Sequence, residues 1–264
     1  MVKDAIYTFK RLKHYKPFDD SFFELAKLSI ESAKKFYNTI LYTDTFSKDF
    51  LLSNGLHFDE VIVLEELENL VTTNYGLPKM VAMISRTEPY VHLDFDTILI
   101  NKPHSIQQVA FAFPEIELLY KVKPLALNSL VNGYLKSYNL IESNLTAEQK
   151  RILYWDKVPS NCVLLVNDPQ LVRDIFTKAI DEWYKGNEGT ISPSVLEQQI
   201  LLSYLREYKA EYQFLLEMNK FDTSEYLNSD SIAYLSQFDF IHLYDYPDYP
   251  EIVKKLGSDI KNLE

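Results

Sequence analysis

Tyr90-Val91-His92-Leu93-Asp94-Phe95-Asp96-Thr97-Ile98-Leu99-Ile100 decides how this chain is read, because two carboxylates interrupt a run that is otherwise largely apolar. An uncompensated charge is costly to bury, so the run predicts a buried strand that leads out into a polar site. On an extended backbone residues two apart share a face, so Asp94 and Asp96 are expected to project together and converge on one cation. Carboxylate oxygens suit hard ions such as magnesium or manganese. A lone Asp-x-Asp is also the pattern of two solvated loop aspartates; the apolar flanks favour the metal reading.

Working towards the N-terminus, short β-like runs alternate with helical periodicity, the signature of βαβ units and a largely parallel sheet. Ala5 to Phe9 reads as a first strand. A helix is expected next, from a Ser21/Glu24 capping-box pattern after Asp19-Asp20 and an apolar face of Phe22, Ala26, Ile30, Ala33 and Tyr37. Strands are expected at Thr39 to Tyr42 and Val61 to Leu64. A helix from Lys79 to Arg86 is expected to start just after Pro78, a residue suited to a first helical turn. Open α/β sheets bind ligands outside the carboxyl ends of their strands, which is where this order puts the two aspartates.

Towards the C-terminus the pattern is less regular. Cys162 to Val166 and Phe238 to Tyr244 read as strands, Pro169 to Tyr184 and Ser194 to Tyr208 as helices, the last with a Ser194/Glu197 capping box. In Phe240-Ile241-His242-Leu243-Tyr244, alternation sets His242 with Phe240 and Tyr244, opposite Ile241 and Leu243. A neutral imidazole there can complete a metal shell or be a satisfied core histidine.

The 264 residues, 47% of them hydrophobic, are enough for a substantial core, and without repeat, low-complexity tract or Gly/Ser linker one α/β domain is expected. A formal net charge of −11 argues against nucleic acid as the main partner, since phosphate backbones are bound by basic surfaces. Cys162 is the single cysteine, which excludes an internal disulfide framework and a cysteine-based zinc site. No apolar run matches a secretory signal or a membrane span, so a cytoplasmic setting is expected, with any membrane association peripheral. The 19 Tyr and 16 Phe can stack on sugars, but aromatics more often fill cores.

These motifs together resemble the metal-dependent glycosyltransferases of the GT-A fold, most closely the retaining family 8 group. The resemblance implies a single GT-A-type domain with a Rossmann-like, mostly parallel sheet flanked by helices, its nucleotide-binding part about 1–100 and its acceptor and donor-sugar part about 101–264. It implies that Asp94, Asp96 and His242 bind Mn2+ or Mg2+. Asn161, in Ser160-Asn161-Cys162-Val163, matches the family's Asn-Ser-Gly-Val strand near the donor sugar, with Cys162 where a small pair is usual. Glu197-Gln198-Gln199-Ile200-Leu201 is similar to the family's Asp-Gln-Asp-Ile-Leu segment, which makes Gln198, Glu197 and Asn161 the implied catalytic-site residues. Lys79 matches a basic position that reaches the donor, Leu77 stands where an Arg is often seen, and Arg86 is a possible replacement. Tyr7, Thr8 and Asp44 lie where the family binds base and ribose. Tyr244 to Pro250 replaces the family's Gly-x-x-Lys-Pro-Trp stretch.

The function so implied is transfer of a sugar from a nucleotide sugar, with UDP as the preferred nucleotide, to a hydroxyl of a glycan, lipid-linked or protein acceptor, with retention favoured. Two alternatives stay open at this level. Haloacid-dehalogenase-type phosphatases also place Asp-x-Asp after a strand, though after the first one, and a non-catalytic sugar- or nucleotide-binding module would share the fold.

Overall fold

The computed structural model describes residues 2–12, 18, 20–72, 75–114, 159–184, 195–216, 223–228, 231–243 and 249–262. Four parallel strands form one half of a seven-stranded sheet: β1 (Asp4–Phe9), β2 (Asn38–Thr43), β3 (Glu60–Val63) and β4 (Tyr90–Leu93). β6 (Val109–Phe111), β7 (Val163–Val166) and β8 (Tyr212–Phe214) complete it in the order β3-β2-β1-β4-β7-β6-β8. β7 runs against both its neighbours, and β6 and β8 are parallel to each other, so the sheet is mostly parallel with one reversed strand. β5 (Thr97–Leu99) and β9 (Phe240–His242) pair antiparallel in a separate two-stranded sheet.

Strand alternation sorts the core into two layers. Ala5 and Tyr7, Val91 and Leu93, and Val163 and Leu165 face a layer built with Ala26, Ile30 and Ala33 of helix α1 (Asp20–Lys34). Ile6, Tyr90, Leu164 and Val166 face the other side, against Leu77, Met80 and Met83 of α4 (Gly76–Ser85) and Val172, Ile175 and Phe176 of α5 (Pro169–Ala179). Strands buried on both faces read as continuous apolar runs, which is how Ala5-Ile6-Tyr7 appears in the sequence. Each fully buried Leu or Ile in these layers contributes about 1.5–3 kcal/mol.

The expected apolar stripe of α1 is present: Ala26, Ile30, Ala33 and Tyr37 are buried, with Phe22 packed against them. Its start differs, because the helix already includes Asp20 and so puts Ser21 inside it rather than at its cap. The other flank of α1, Leu25 and Leu28, packs with Ile98, Ile241, Leu243 and the helix Tyr249–Asp259, so α1 lies between the large sheet and the small one. α4 starts at Gly76 rather than at the expected Lys79, so Pro78 lies inside its first turn, and Arg86 follows its last residue. Among the described residues no helix is long and apolar enough to cross a membrane.

Candidate functional site

The sheet topology already marks a place for a ligand. From β1 the chain adds β2 and β3 on one side, then returns to add β4 on the other, so the strand order reverses between β1 and β4. Open α/β sheets bind ligands in the crevice at the carboxyl ends of the strands flanking such a switch. Asp94 is the first residue beyond β4.

The two aspartates do not lie on one extended strand, which corrects the alternation argument. The run from Tyr90 to Ile100 is broken into β4 and β5, in different sheets, by a tight turn in which Thr97 N–H donates to Asp94 O at 3.1 Å. Cys162 O holds the turn from the β7 side, accepting Asp94 N–H at 3.0 Å and the Thr97 hydroxyl at 3.2 Å. From the α1 side the Ser29 hydroxyl donates to Asp94 O at 3.3 Å, and Ser32 Oγ accepts Leu99 N–H at 3.0 Å. Phe95, between the aspartates, packs its ring 5.2 Å from Tyr7 and 5.9 Å from Phe9.

β5 then brings in the third residue. Thr97 pairs with His242 in the β5–β9 register, and Leu243 N–H donates to Asp96 O at 2.9 Å. His242 is buried, its Nε2 lies 3.2 Å from Asp96 Oδ1, and ligand atoms of Asp94, Asp96 and His242 lie within 4.8 Å of one another. Phe240 packs on one layer while Ile241 and Leu243 pack on another, as alternation predicts; Tyr244 lies outside the described residues.

α4 supplies the basic group. Lys79 Nζ lies 2.6 Å from Asp94 Oδ1 and 3.3 Å from Glu197 Oε1. Glu197 and Gln198 sit in a π-helical turn, Val195–Gln199, that leads into α6 (Ile200–Glu207). Ser194, the other half of the expected capping box, lies outside the described residues. π turns recur at functional sites because their wider spacing re-aims side chains. Asn161 Nδ2 donates to Glu197 O at 3.2 Å. Asn161 Oδ1, Gln198 Oε1 and both amide atoms of Gln199 are buried without a hydrogen-bond partner.

Asp94, Asp96 and Glu197 carry three formal negative charges against one on Lys79, a surplus of two with His242 neutral and one with it protonated. Burial pushes the Asp94 carboxyl up, but the Lys79 ammonium outweighs this and holds it below the usual carboxylate range. Burial opposes the Lys79 charge, yet Asp94 and Glu197 prevail and raise its pKa. For His242 burial likewise favours the neutral ring, and Cys162 and Asp96 together overcome it, raising the pKa well above its ordinary value. His92, buried with neither nitrogen partnered, is pushed down to about 3 by burial and by Lys79.

The remaining expected site residues are placed differently. Tyr7 is buried with its hydroxyl 3.1 Å from Ser29 Oγ, and burial raises its pKa. Thr8 is buried, its hydroxyl unpartnered. Asp44 caps helix α2 (Thr45–Ser53) by accepting Ser47 N–H at 2.7 Å, and pairs with Lys10 at 2.6 Å. Arg86 ends α4 at the start of β1, where it pairs with Asp4 at 2.6 Å and donates to the Tyr42 hydroxyl at 3.2 Å, so it is not brought to Asp94. Most of the stretch Tyr244 to Pro250 falls on 244–248, outside the described residues. Sequence reasoning missed Ser29, Ser32 and the Cys162 carbonyl; the two serines interrupt the apolar face of α1, which is the signal that marks them.

One sequence family, described as a family of unknown function, matches residues 18–149, half of the chain, a span that contains Lys79, Asp94 and Asp96. No curated protein matches the sequence. Among solved structures, mouse xyloside xylosyltransferase 1 is similar at 10% identity and a TM-score of 0.43, over 95% of this chain and 99% of that one. The glycosyltransferase GlyE of Streptococcus pneumoniae is similar at 13% and 0.45, over 99% of this chain and 62% of that one. The inositol-1-phosphate CTP transferase of T. maritima is similar at 14% and 0.48, over 98% and 96%.

Proposed function

The chain belongs to this family of unknown function, DUF6734, and we propose that it is a single-domain, metal-dependent glycosyltransferase that takes a UDP-sugar as donor. The observation that carries this reading is the convergence of Asp94, Asp96 and His242 at the switch point between β1 and β4. The donor set fits the ion: two carboxylates and one imidazole suit Mn2+ or Mg2+, and the surplus negative charge is what a divalent cation balances. Asp94, Asp96 and His242 would hold it. Bound there, it supplies Lewis-acid stabilisation of a departing diphosphate.

The chain's own residues do the rest. Lys79, fixed by two carboxylates, offers a positive charge beside the place where leaving-group charge develops, and being prepaid by the fold it needs no reorganisation during reaction. The unpartnered amide oxygens of Gln198 and Asn161 are acceptors for sugar hydroxyls, and satisfying them offsets a burial cost of about 1–3 kcal/mol each. All three carboxylates are engaged, Asp94 and Glu197 by Lys79 and Asp96 by His242. The resemblance to the retaining family 8 group favours retention over inversion.

Calorimetric titration of UDP with and without Mn2+, on wild type and on a folded Asp94→Asn/Asp96→Asn variant, tests the reading. Metal-dependent UDP binding present only in the wild type supports it, and Mn2+-dependent sugar release from a UDP-sugar separates an enzyme from a binding module. UDP binding that is indifferent to metal, or none at all, sinks it.

A further inference from the structure

The residues whose ligand atoms converge are Asp94, Asp96 and His242, and Glu197 is not among them. Glu197 is nevertheless the most deeply buried of the three carboxylates, its side chain 2% exposed against 24% for Asp94 and 34% for Asp96. Its backbone is tied down by the Asn161 amide, which donates to Glu197 O at 3.2 Å. Lys79 Nζ stands between two carboxylates, 2.6 Å from Asp94 Oδ1 and 3.3 Å from Glu197 Oε1. The shorter contact goes to the more exposed carboxylate, which a cation would use. The longer one goes to the carboxylate that burial leaves most in need of a counter-charge.

We infer that Lys79 is a latch on Asp94 and that Glu197 is the positioning residue that receives it: Lys79 passes from Asp94 to Glu197 when a divalent cation takes the Asp94 carboxylate. An ammonium 2.6 Å from Asp94 Oδ1 opposes a cation at the same carboxylate, both by repulsion and by occupying the oxygen. Releasing Asp94 with no second partner in reach would strand a largely buried positive charge, which is costly. Glu197 removes that cost. Three N–H donors on one nitrogen, carried on a flexible four-carbon stem, let the contact shift between the two carboxylates without backbone movement. With the latch on Asp94, the ammonium offsets the surplus negative charge of the site. With the latch on Glu197, Lys79 and Glu197 form a neutral pair, and Asp94, Asp96 and His242 are left to the cation. Glu197→Asp isolates this role, because it keeps the negative charge near the centre and only withdraws the carboxylate from Lys79.

The inference rests on the metal reading above, and its test keeps the two apart. Mn2+ affinity is measured by calorimetry on the full chain as wild type, Lys79→Met, Glu197→Asp, Lys79→Met/Glu197→Asp and Asp94→Asn/Asp96→Asn, with thermal unfolding in chelator as the folding control. Expected are a gain of about tenfold for Lys79→Met, a loss of about tenfold for Glu197→Asp, and an affinity within about threefold of Lys79→Met when the two are combined, since shortening Glu197 acts only through Lys79. Equal losses from Glu197→Asp with and without Lys79 overturn the handover, because Glu197 would then act on the cation directly. An unchanged affinity in Glu197→Asp, or no gain in Lys79→Met, overturns it too, while the double aspartate variant still reports the metal centre. No Mn2+ binding by the wild type overturns the metal reading and this inference with it. Should either single variant fail to fold, the nuclear Overhauser contacts of the Lys79 ε-methylene in wild type decide, followed through a Mg2+ titration. A shift in their balance from Asp94 towards Glu197 supports the handover, and an unchanged balance at saturation overturns it.

Discussion

Two lysines sit beside an aspartate at the same carboxyl edge of the sheet, and their surroundings differ. Lys10 gives one contact to Asp44 Oδ2 and one to Leu67 O, both at 2.6 Å, while Asp44 Oδ1 takes Ser47 N–H; the charges cancel and the named atoms are all used. Lys79 is shared between Asp94 and Glu197, with Asp96 and His242 alongside, and polar amide atoms of Asn161, Gln198 and Gln199 remain unpartnered nearby in the chain's fold. The closed pair does architectural work: it caps α2 and pins it to β1. The open cluster keeps surplus charge and unsatisfied acceptors that folding alone does not require, and leaving them so is costly unless a ligand completes them.

If that contrast is right, neutralising Asp94 and Asp96 together removes detectable Mn2+ and UDP binding without unfolding the protein, the largest effect expected. Calorimetry checks the first half and far-ultraviolet circular dichroism the second. Lys79→Met should split three readouts: slower sugar release by roughly a hundredfold, tighter Mn2+ because Asp94 loses its competitor, and lower stability by about 3 kcal/mol from the uncompensated buried Glu197. Unchanged turnover would make Lys79 as architectural as Lys10. Asp44→Ala should do the reverse, lowering stability by about 3 kcal/mol through the lost cap and the unpaired Lys10, measured by urea unfolding, while Mn2+ affinity stays within about twofold of wild type.

The smallest expected effect is on the acid limb of stability. Burial raises the Asp44 carboxyl, but Lys10 and Ser47 outweigh it, so its folded pKa lies below the unfolded one. Such a group contributes stability that is present above the ordinary carboxyl pKa of about 3.9 and is lost as pH falls through the folded value. Asp44→Asn should therefore flatten the fall in melting temperature between about pH 5 and pH 2 relative to wild type. An identical acid limb would mean that the pair carries no charge-dependent stability.

These two aspartates also mark where sequence reading stops. Thr43-Asp44 and Leu93-Asp94 are both acids that end a strand; the cap from Asp44 to Ser47 is local, but the ion partners, Lys10 on one side and Lys79 and Glu197 on the other, come from distant parts of the chain and are fixed by packing. Arg86 is another instance: expected on the same helix as Lys79, it follows the last residue of α4, seven residues on, and pairs with Asp4.

Local pattern was sufficient for the strands β1 to β3, the start of β4 and the buried face of α1, since periodicity and backbone sterics act over a few residues. Local pattern also singled out Asp94 and Asp96, while the family resemblance joined His242 to them, and ligand atoms of the three lie within 4.8 Å of one another. The tertiary structure alone decided how they meet. The turn at Asp94 to Asp96 is not an extension of β4; it is held by Cys162 O and Ser29, and the β5–β9 pairing sets Thr97 opposite His242. Those contacts join segments far apart in the chain, and no short-range pattern encodes a hydrogen bond whose donor and acceptor come together only when the layers pack.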